Sequence, residues 1–297
     1  MVTRTRTRLS LTARAAPPAR AALAALAALS GCTAIMGMGT PERVSDAGTD
    51  SPSTNDAPRS TDAPGGYHAT AVRFDPAGGD YLTTGALAGA TTSGKGTFSV
   101  WLHFNGSDGS SQIIAGAQIL AAGGIVRNAN NKIQFQLNAC NGALLLDVET
   151  AHTYTSASGW IHVLASWDVA AGKAQLYVNG VPDLEPGGTI ANGSICYTAP
   201  KWGIGGLSSA TLDADVSDWY ASFGTALDLD IVANRDRFRS STGKPLDLAA
   251  DCSNPTGVTP IACFTGALPT WSMNKGTGAG FTVHGDGISA APTSPSD

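Results

Sequence analysis

Charge is scarce in this chain. Only 14% of its 297 residues are charged, the net charge is −5, and no basic stripe runs through it. That balance argues against nucleic acid as a partner. Long apolar runs are missing too: residues 21–29, AALAALAAL, fall well short of the roughly 20 residues a bilayer-spanning helix needs. No Gly-x-Ser-x-Gly elbow and no His-Glu-x-x-His pair is present, so no motif supports a serine hydrolase or a zinc protease. The glycine-rich stretches are not followed by the helix that a phosphate site requires. Cys-x-x-Cys spacing is absent and no histidine stands beside Cys140, Cys196, Cys252 or Cys263, which argues against structural zinc.

Arginine is concentrated at the front. Residues 1–31 hold Arg4, Arg6, Arg8, Arg14 and Arg20 and no acid, so the rest of the chain stands at −10. A basic start, a short apolar segment and small residues at its end describe a secretory signal. The segment finishes in Leu29-Ser30-Gly31-Cys32, which resembles a bacterial lipobox. That resemblance implies cleavage before Cys32 and a lipid on its sulfur. Thr33 follows, so the Asp associated with inner-membrane retention is absent, which points to the outer membrane or cell surface. Residues 32–66, rich in Ser, Thr, Pro, Asp and Gly, have almost nothing to bury and read as a disordered tether. The expected division is therefore a leader over 1–31, a tether over 32–66 and one folded domain over 67–297.

The folded part is organised around Gly159–Asp183, GWIHVLASWDVAAGKAQLYVNGVPD. Ile161, Val163, Ala165 and Trp167 alternate with His162, Leu164, Ser166 and Asp168, the period of a strand with one face in a core. A Val-Ala-Ala-Gly connection leads to a second alternation, Ala174, Leu176 and Val178, closed by Asn179-Gly180, a pair suited to the positive φ angles of a tight hairpin turn. Further strands are expected at 71–74, 81–84, 98–104, 112–121, 132–137, 144–148 (with Leu144, Leu146 and Val148 inward), 202–206 and 212–223. Four Asn-Gly pairs fall between these readings. Many short alternating strands indicate an all-β antiparallel sandwich or jelly roll. One short helix is expected near 229–239, with Asp228 or Asp230 as its cap.

Trp160-Ile-His162-Val163, Trp167-Asp168-Val-Ala-Ala-Gly172 and Leu176-Tyr-Val-Asn-Gly180 resemble the signature of laminin G-like domains of the concanavalin A-like lectin/glucanase superfamily. The resemblance implies a two-sheet jelly roll. From about Asp218 onward the chain also resembles the ends of laminin G-like proteins of tailed phages, through Asn234-Arg235, Phe238, Gly243–Leu248 and Asn274–Gly278. A leader and tether are not expected of a virion part, so a phage-derived structural or protein-adhesion role is kept as an alternative.

In an oxidising compartment the four cysteines of the domain suggest two disulfides, with three possible connectivities. Cys252 and Cys263 flank one Pro/Gly-bearing loop and form the local pair, leaving Cys140 for Cys196. Superfamily members that hydrolyse β-glucans carry Glu-x-Asp-x-x-Glu on a strand; here Asp213, Asp215 and Asp218 occupy that spacing, with a shorter reach. Plain alternation puts Asp218 on the face opposite Asp213 and Asp215, so a bulge would be needed to gather them for retaining hydrolysis. The parity does break there: Leu212, Ala214 and Val216 face inward, then Trp219 and Phe223 take the other phase. The resemblance also implies calcium as a possible cofactor, with Asp168, Asp213 and Asp215 able to contribute, but no Asp-x-Asp-x-Asp-Gly loop fixes a site. His68, His103, His152, His162 and His284 are scattered, and His103 and His162 read as partly buried, satisfied side chains. Trp101 and Trp160, opposite the core parity, are the candidates for stacking on a sugar. The sequence reading is a surface-displayed, non-catalytic binding domain whose partner is a carbohydrate or a surface protein, with a laminarinase-type hydrolase as the enzymatic alternative.

Overall fold

The computed structural model describes residues 66–118, 123–209 and 211–297; the leader, Cys32 and the tether lie outside the described residues. The chain opens with strands β1 (Val72–Phe74), β2 (Tyr81–Thr84), β3 (Lys95–Phe104) and β4 (Gln112–Ala117). The next are β5 (Gly123–Arg127), β6 (Ile133–Asn138) and β7 (Leu144–Glu149). The central hairpin is β8 (Ile161–Asp168) and β9 (Lys173–Val178), followed by β10 (Val181–Pro182), β11 (Thr189–Ile190), β12 (Trp202–Ile204) and β13 (Ala214–Phe223). A one-turn helix α1 (Val232–Arg235) precedes β14 (Ala262–Phe264), β15 (Thr282–His284) and β16 (Ser289–Ala290). Among the described residues no helix is long and apolar enough to cross a membrane.

These strands build two antiparallel sheets. The first runs β10-β9-β8-β3-β13-β1-β16, with β14 also on β13, and the second runs β11-β7-β6-β5-β4-β12-β2-β15. Alternation decides the inner faces. Phe98, Val100, Leu102 and Phe104 of β3 and Ile161, Val163, Ala165 and Trp167 of β8 meet Ile133, Phe135 and Leu137 of β6 in one core. Burying each such side chain contributes about 1.5–3 kcal/mol. Gly96 of β3 is required by its neighbour: a Cβ there would lie 2.3 Å from Cζ2 of Trp167. That indole is fixed, because its Nε1–H donates to Tyr197 Oη at 2.8 Å and the Tyr197 hydroxyl donates to Lys95 O at 2.9 Å.

Several expectations are refined. In β7 it is Leu145 that enters the core while Leu144 is exposed, because the pairing with β6 slips at Leu137/Asn138. The helix is confined to Val232–Arg235 and has no side-chain cap; Asp228 instead accepts from Lys173 Nζ and Gln175 Nε2 at the sheet edge. Of the Asn-Gly pairs only Asn179-Gly180 has both φ angles positive, 53° and 81°. The Val-Ala-Ala connection is a 3-10 turn capped by Asp168, with Gly172 left-handed at its end.

The expected bulge is present in β13. Ser217 pairs with Trp101 and Tyr220 with Ser99, so Asp218 and Trp219 share one position of β3, and Asp218 takes φ 44°. The bulge marks a change of neighbour. Before it β13 pairs with β1 (Val72 with Val216); after it β13 pairs with β14 (Trp219 with Phe264).

The outer face of the first sheet is partly covered by the chain that follows β13. Leu164, Tyr177 and Tyr220 pack there against Leu229, Phe238, Leu248 and the Cys252–Cys263 bridge, forming a second, smaller core. The other disulfide joins Cys140 to Cys196, so both bridges follow the local pairing and its remainder.

Candidate functional site

What the C-terminal segment leaves uncovered on that outer face is a row running across four strands. Leu102 pairs with Ile161, which sets His103 beside Trp160; His103 pairs with Asp215, Asp215 with Arg73, and Arg73 with Ser289. Registered partners share a face, so Trp160, His103, Asp215, Arg73 and Ser289 form one transverse line. Arg73 sits between Val72 and Phe74, whose side chains go into the core, so alternation alone turns it outward.

The chemistry of the row is polar with one aromatic end. Arg73 donates from Nε to Asp215 Oδ1 at 2.8 Å and from Nη2 to Asp215 Oδ2 at 3.1 Å. This fork holds the guanidinium charged, and the hydrogen bond to Asp215 pushes its pKa further up. Asn105, two residues beyond His103 on the same side, donates Nδ2 to Asp215 Oδ1 at 3.0 Å and accepts from Arg73 Nη2 at 3.2 Å. Asn105 Oδ1 is therefore an acceptor, so His103 Nδ1, 3.2 Å away, is the donating nitrogen and Nε2 is left for a ligand. Asp215 is fully buried, whereas the Arg73 side chain is 37% exposed and that of His103 29%. The Trp160 ring lies 5.7 Å from that of His103, and its indole N–H donates to Thr293 Oγ1 at 3.2 Å.

The loop at the end of the row is fixed from below. Arg127, wholly buried, donates to Gly106 O at 2.7 Å and to Asp108 Oδ1 at 2.8 Å, and its guanidinium lies over Phe104 at 4.3 Å. Ser107 donates to Asp213 Oδ2 at 3.2 Å.

The sequence candidates therefore separate. Trp160 lies on the row. Trp101 faces the same side but is only 3% exposed and stacks on His162 at 4.7 Å, so it offers no free face to a sugar. The three aspartates hold three different sets of partners: Asp213 is in the Ser107 loop, Asp215 in the Arg73 fork, and Asp218 in the gap between β1 and β14. Asp218 Oδ1 accepts from Tyr67 Oη and Thr265 Oγ1, both at 2.7 Å. Burial pushes its carboxyl up to about 6 and the Tyr67 phenol well above its ordinary range. Calcium does not fit the residues named for it. Asp168 is paired with Lys95 Nζ at 3.0 Å and Asp215 with Arg73, and no group of three or more His, Cys, Asp or Glu among the described residues converges as a metal site. Of the histidines, His68 pairs with Asp297, His152 with Asp183, and His284 stacks on Tyr81. Residue-by-residue reading missed Arg73 and Asn105, although an arginine between two core residues in AVRF was the available signal.

The family comparison agrees with this architecture. The sequence model of a laminin G family, described as Concanavalin A-like lectin/glucanases superfamily, matches residues 76–221. A putative carbohydrate binding protein from Bacteroides ovatus is similar in structure, with a TM-score of 0.51 and 12% identity over 76% of this chain and 60% of that one. A native heptameric SAP-like pentraxin from Limulus polyphemus aligns with a TM-score of 0.44 and 13% identity, over 75% of this chain and 94% of the pentraxin. None of the curated proteins matches the chain. With two antiparallel sheets, the Trp160–Gly180 signature on β8 and β9 and the match over 76–221, the domain has the two-sheet jelly-roll fold and, over those residues, is similar to the laminin G family of the concanavalin A-like lectin/glucanase superfamily.

Proposed function

We propose that the domain is a non-catalytic, lectin-like module that binds a carbohydrate along the row Trp160–His103–Asp215–Arg73–Ser289. The observation that carries this reading is the placement of an indole beside an imidazole and a locked Arg73–Asp215–Asn105 network in one line. A sugar has an apolar ring face and directional hydroxyls. The indole suits the first, and the imidazole, guanidinium and Ser289 hydroxyl suit the second. No bond need break for such binding. The fold likeness to a protein described as carbohydrate binding supports the same direction. On this reading Cys32 carries the lipid and residues 32–66 hold the module clear of a membrane at the cell surface. Fatty-acid labelling of the wild type and of Cys32→Ala tests the anchor, which is rejected if both take up equal label.

The purified protein is screened on a glycan array, with calcium and with chelator. We expect selective binding that survives chelation, and a loss of at least about tenfold in Trp160→Ala and Arg73→Gln, since a stacked aromatic or a charged hydrogen bond contributes on the order of 1.4 kcal/mol or more. Silence of a folded protein, or binding untouched by both substitutions, would overturn the row as the site. It would then turn attention to a surface protein as partner.

A further inference from the structure

A second recess lies on the outer face of the first sheet, under the C-terminal segment. β8 supplies His162 and Leu164, the turn after β9 supplies Gly180, and the chain around α1 supplies Arg235, Arg239 and Ser241. Its volume is about 210 Å³.

Arg239 sets this recess apart. Arg235 is committed, since it donates to Leu229 O and lies over the Tyr177 ring at 4.7 Å. Arg239 has no hydrogen bond or ion pair among the described residues, and its Nε is buried without an acceptor. Backbone hems the fork on two sides: a Cβ on Gly180 would sit 3.2 Å from Nη1, and one on Gly243 would sit 2.6 Å from Nη2. Glycine at both places makes room for the guanidinium. Burial lowers the Arg239 pKa against the charge of Asp236, but a guanidinium stays protonated. The nearby His162 is neutral, held down to about 3 by burial and then by the charge of Arg239. Arg239 as a whole is half-buried, but its Nε–H is shut off from water with no acceptor, which is costly unless something satisfies it.

We propose that this recess binds the carboxylate of a small acid, with Arg239 as the group that holds it. A carboxylate fits better than a phosphate dianion: one guanidinium is uncommitted, Arg235 is engaged elsewhere, and Asp236 is itself part of the lining and adds negative charge there. Planar oxyanion recognition by a guanidinium fork is the strong form of this contact. The acid could be free or part of a uronic acid residue. The proposal does not rest on the sugar row, which uses other side chains.

Calorimetric titration of the purified full chain with glucuronate, glucose and acetate tests it. The expected result is glucuronate binding that falls at least tenfold in Arg239→Met and Arg239→Lys, is kept in Trp160→Ala, and is not matched by glucose in Trp160→Ala. Glucuronate should also shift the His162 ring signals of the wild type by NMR, a readout that needs no variant to fold. Competition by acetate would support the site and identify a free carboxylate as sufficient. Its failure to compete, with glucuronate still lost in Arg239→Met, would support a sugar acid. No glucuronate binding to the wild type, or binding that persists in both Arg239 variants, would overturn the proposal, and its loss in Trp160→Ala would move the bound sugar acid to the row.

Discussion

Asp218 and His162 are both buried against the first sheet, and their protons push stability in opposite directions. The folded chain holds the Asp218 proton up to about pH 6, whereas an unfolded aspartate releases it near pH 4. Its contribution is therefore full below about pH 4 and is lost as pH rises through 6, a swing of about 2–3 kcal/mol. His162 does the reverse. Its folded pKa is depressed to about 3, so its contribution is full above an unfolded histidine's value near 6.5 and is lost as pH falls. In the wild type the two largely offset each other between pH 4 and 7. Asp218→Asn should therefore show stability falling more steeply on acidification, and His162→Gln should show it rising. Urea midpoints at pH 4.5, 5.5 and 7 measure both slopes; parallel profiles for all three proteins would refute the assignment.

At the scale of the element, β3 is the strand most constrained by its neighbours. Gly96→Ala would drive a methyl group into the Trp167 ring, which the Tyr197 hydrogen bond prevents from turning aside. The expected cost is about 1–3 kcal/mol of overpacking, seen as a lower urea midpoint with an unchanged m value. Gly109→Ala meets no atom within 4 Å but forces an alanine to φ 78°, so it separates backbone strain from overpacking. Elements such as β3, β6, β8 and β9 were legible because large apolar residues alternate along them. β5 was not: Gly123-Gly124 carries no side chain to alternate, and at Gly124 a Cβ would meet Ala115 O at 2.4 Å. β10, β11, β14, β15 and β16 are set by what they lie against, which two or three residues cannot encode. The bulge was legible from the break in parity between Val216 and Trp219, and its purpose, the exchange of β1 for β14, was not.

At the scale of the molecule, the two disulfides constrain the unfolded chain unequally. Cys140–Cys196 spans 56 residues and Cys252–Cys263 spans 11. Loop-closure entropy assigns the first about 4 kcal/mol and the second about 3 kcal/mol. Replacing each pair by alanines and comparing urea midpoints should rank them in that order; the opposite order would show that the second bridge acts mainly by anchoring the C-terminal segment on Tyr220 and Leu164. The candidate row was only half legible for a related reason. Trp160 and Asp215 stand out singly, but Arg73, His103 and Ser289 join them only through register between strands distant in sequence. The same distance governs how the sandwich is fastened. β1 and β2 cross from one sheet to the other, and β15 and β16 cross back beside them, with Asp286 N–H on Gly78 O at 2.9 Å. β1 and β16 are antiparallel, with Val72 opposite Ala290, and Ala69 N–H reaches Ser296 Oγ at 2.9 Å. The chain before Val72 and the chain after Ala290 thus leave from the same end of this pair. Tension applied between those two segments would meet its hydrogen bonds one after another, as a zip, rather than all together in shear. A domain held from its N-terminal side and pulled by the segment after Ala290 would therefore begin to open at this pair, one hydrogen bond at a time.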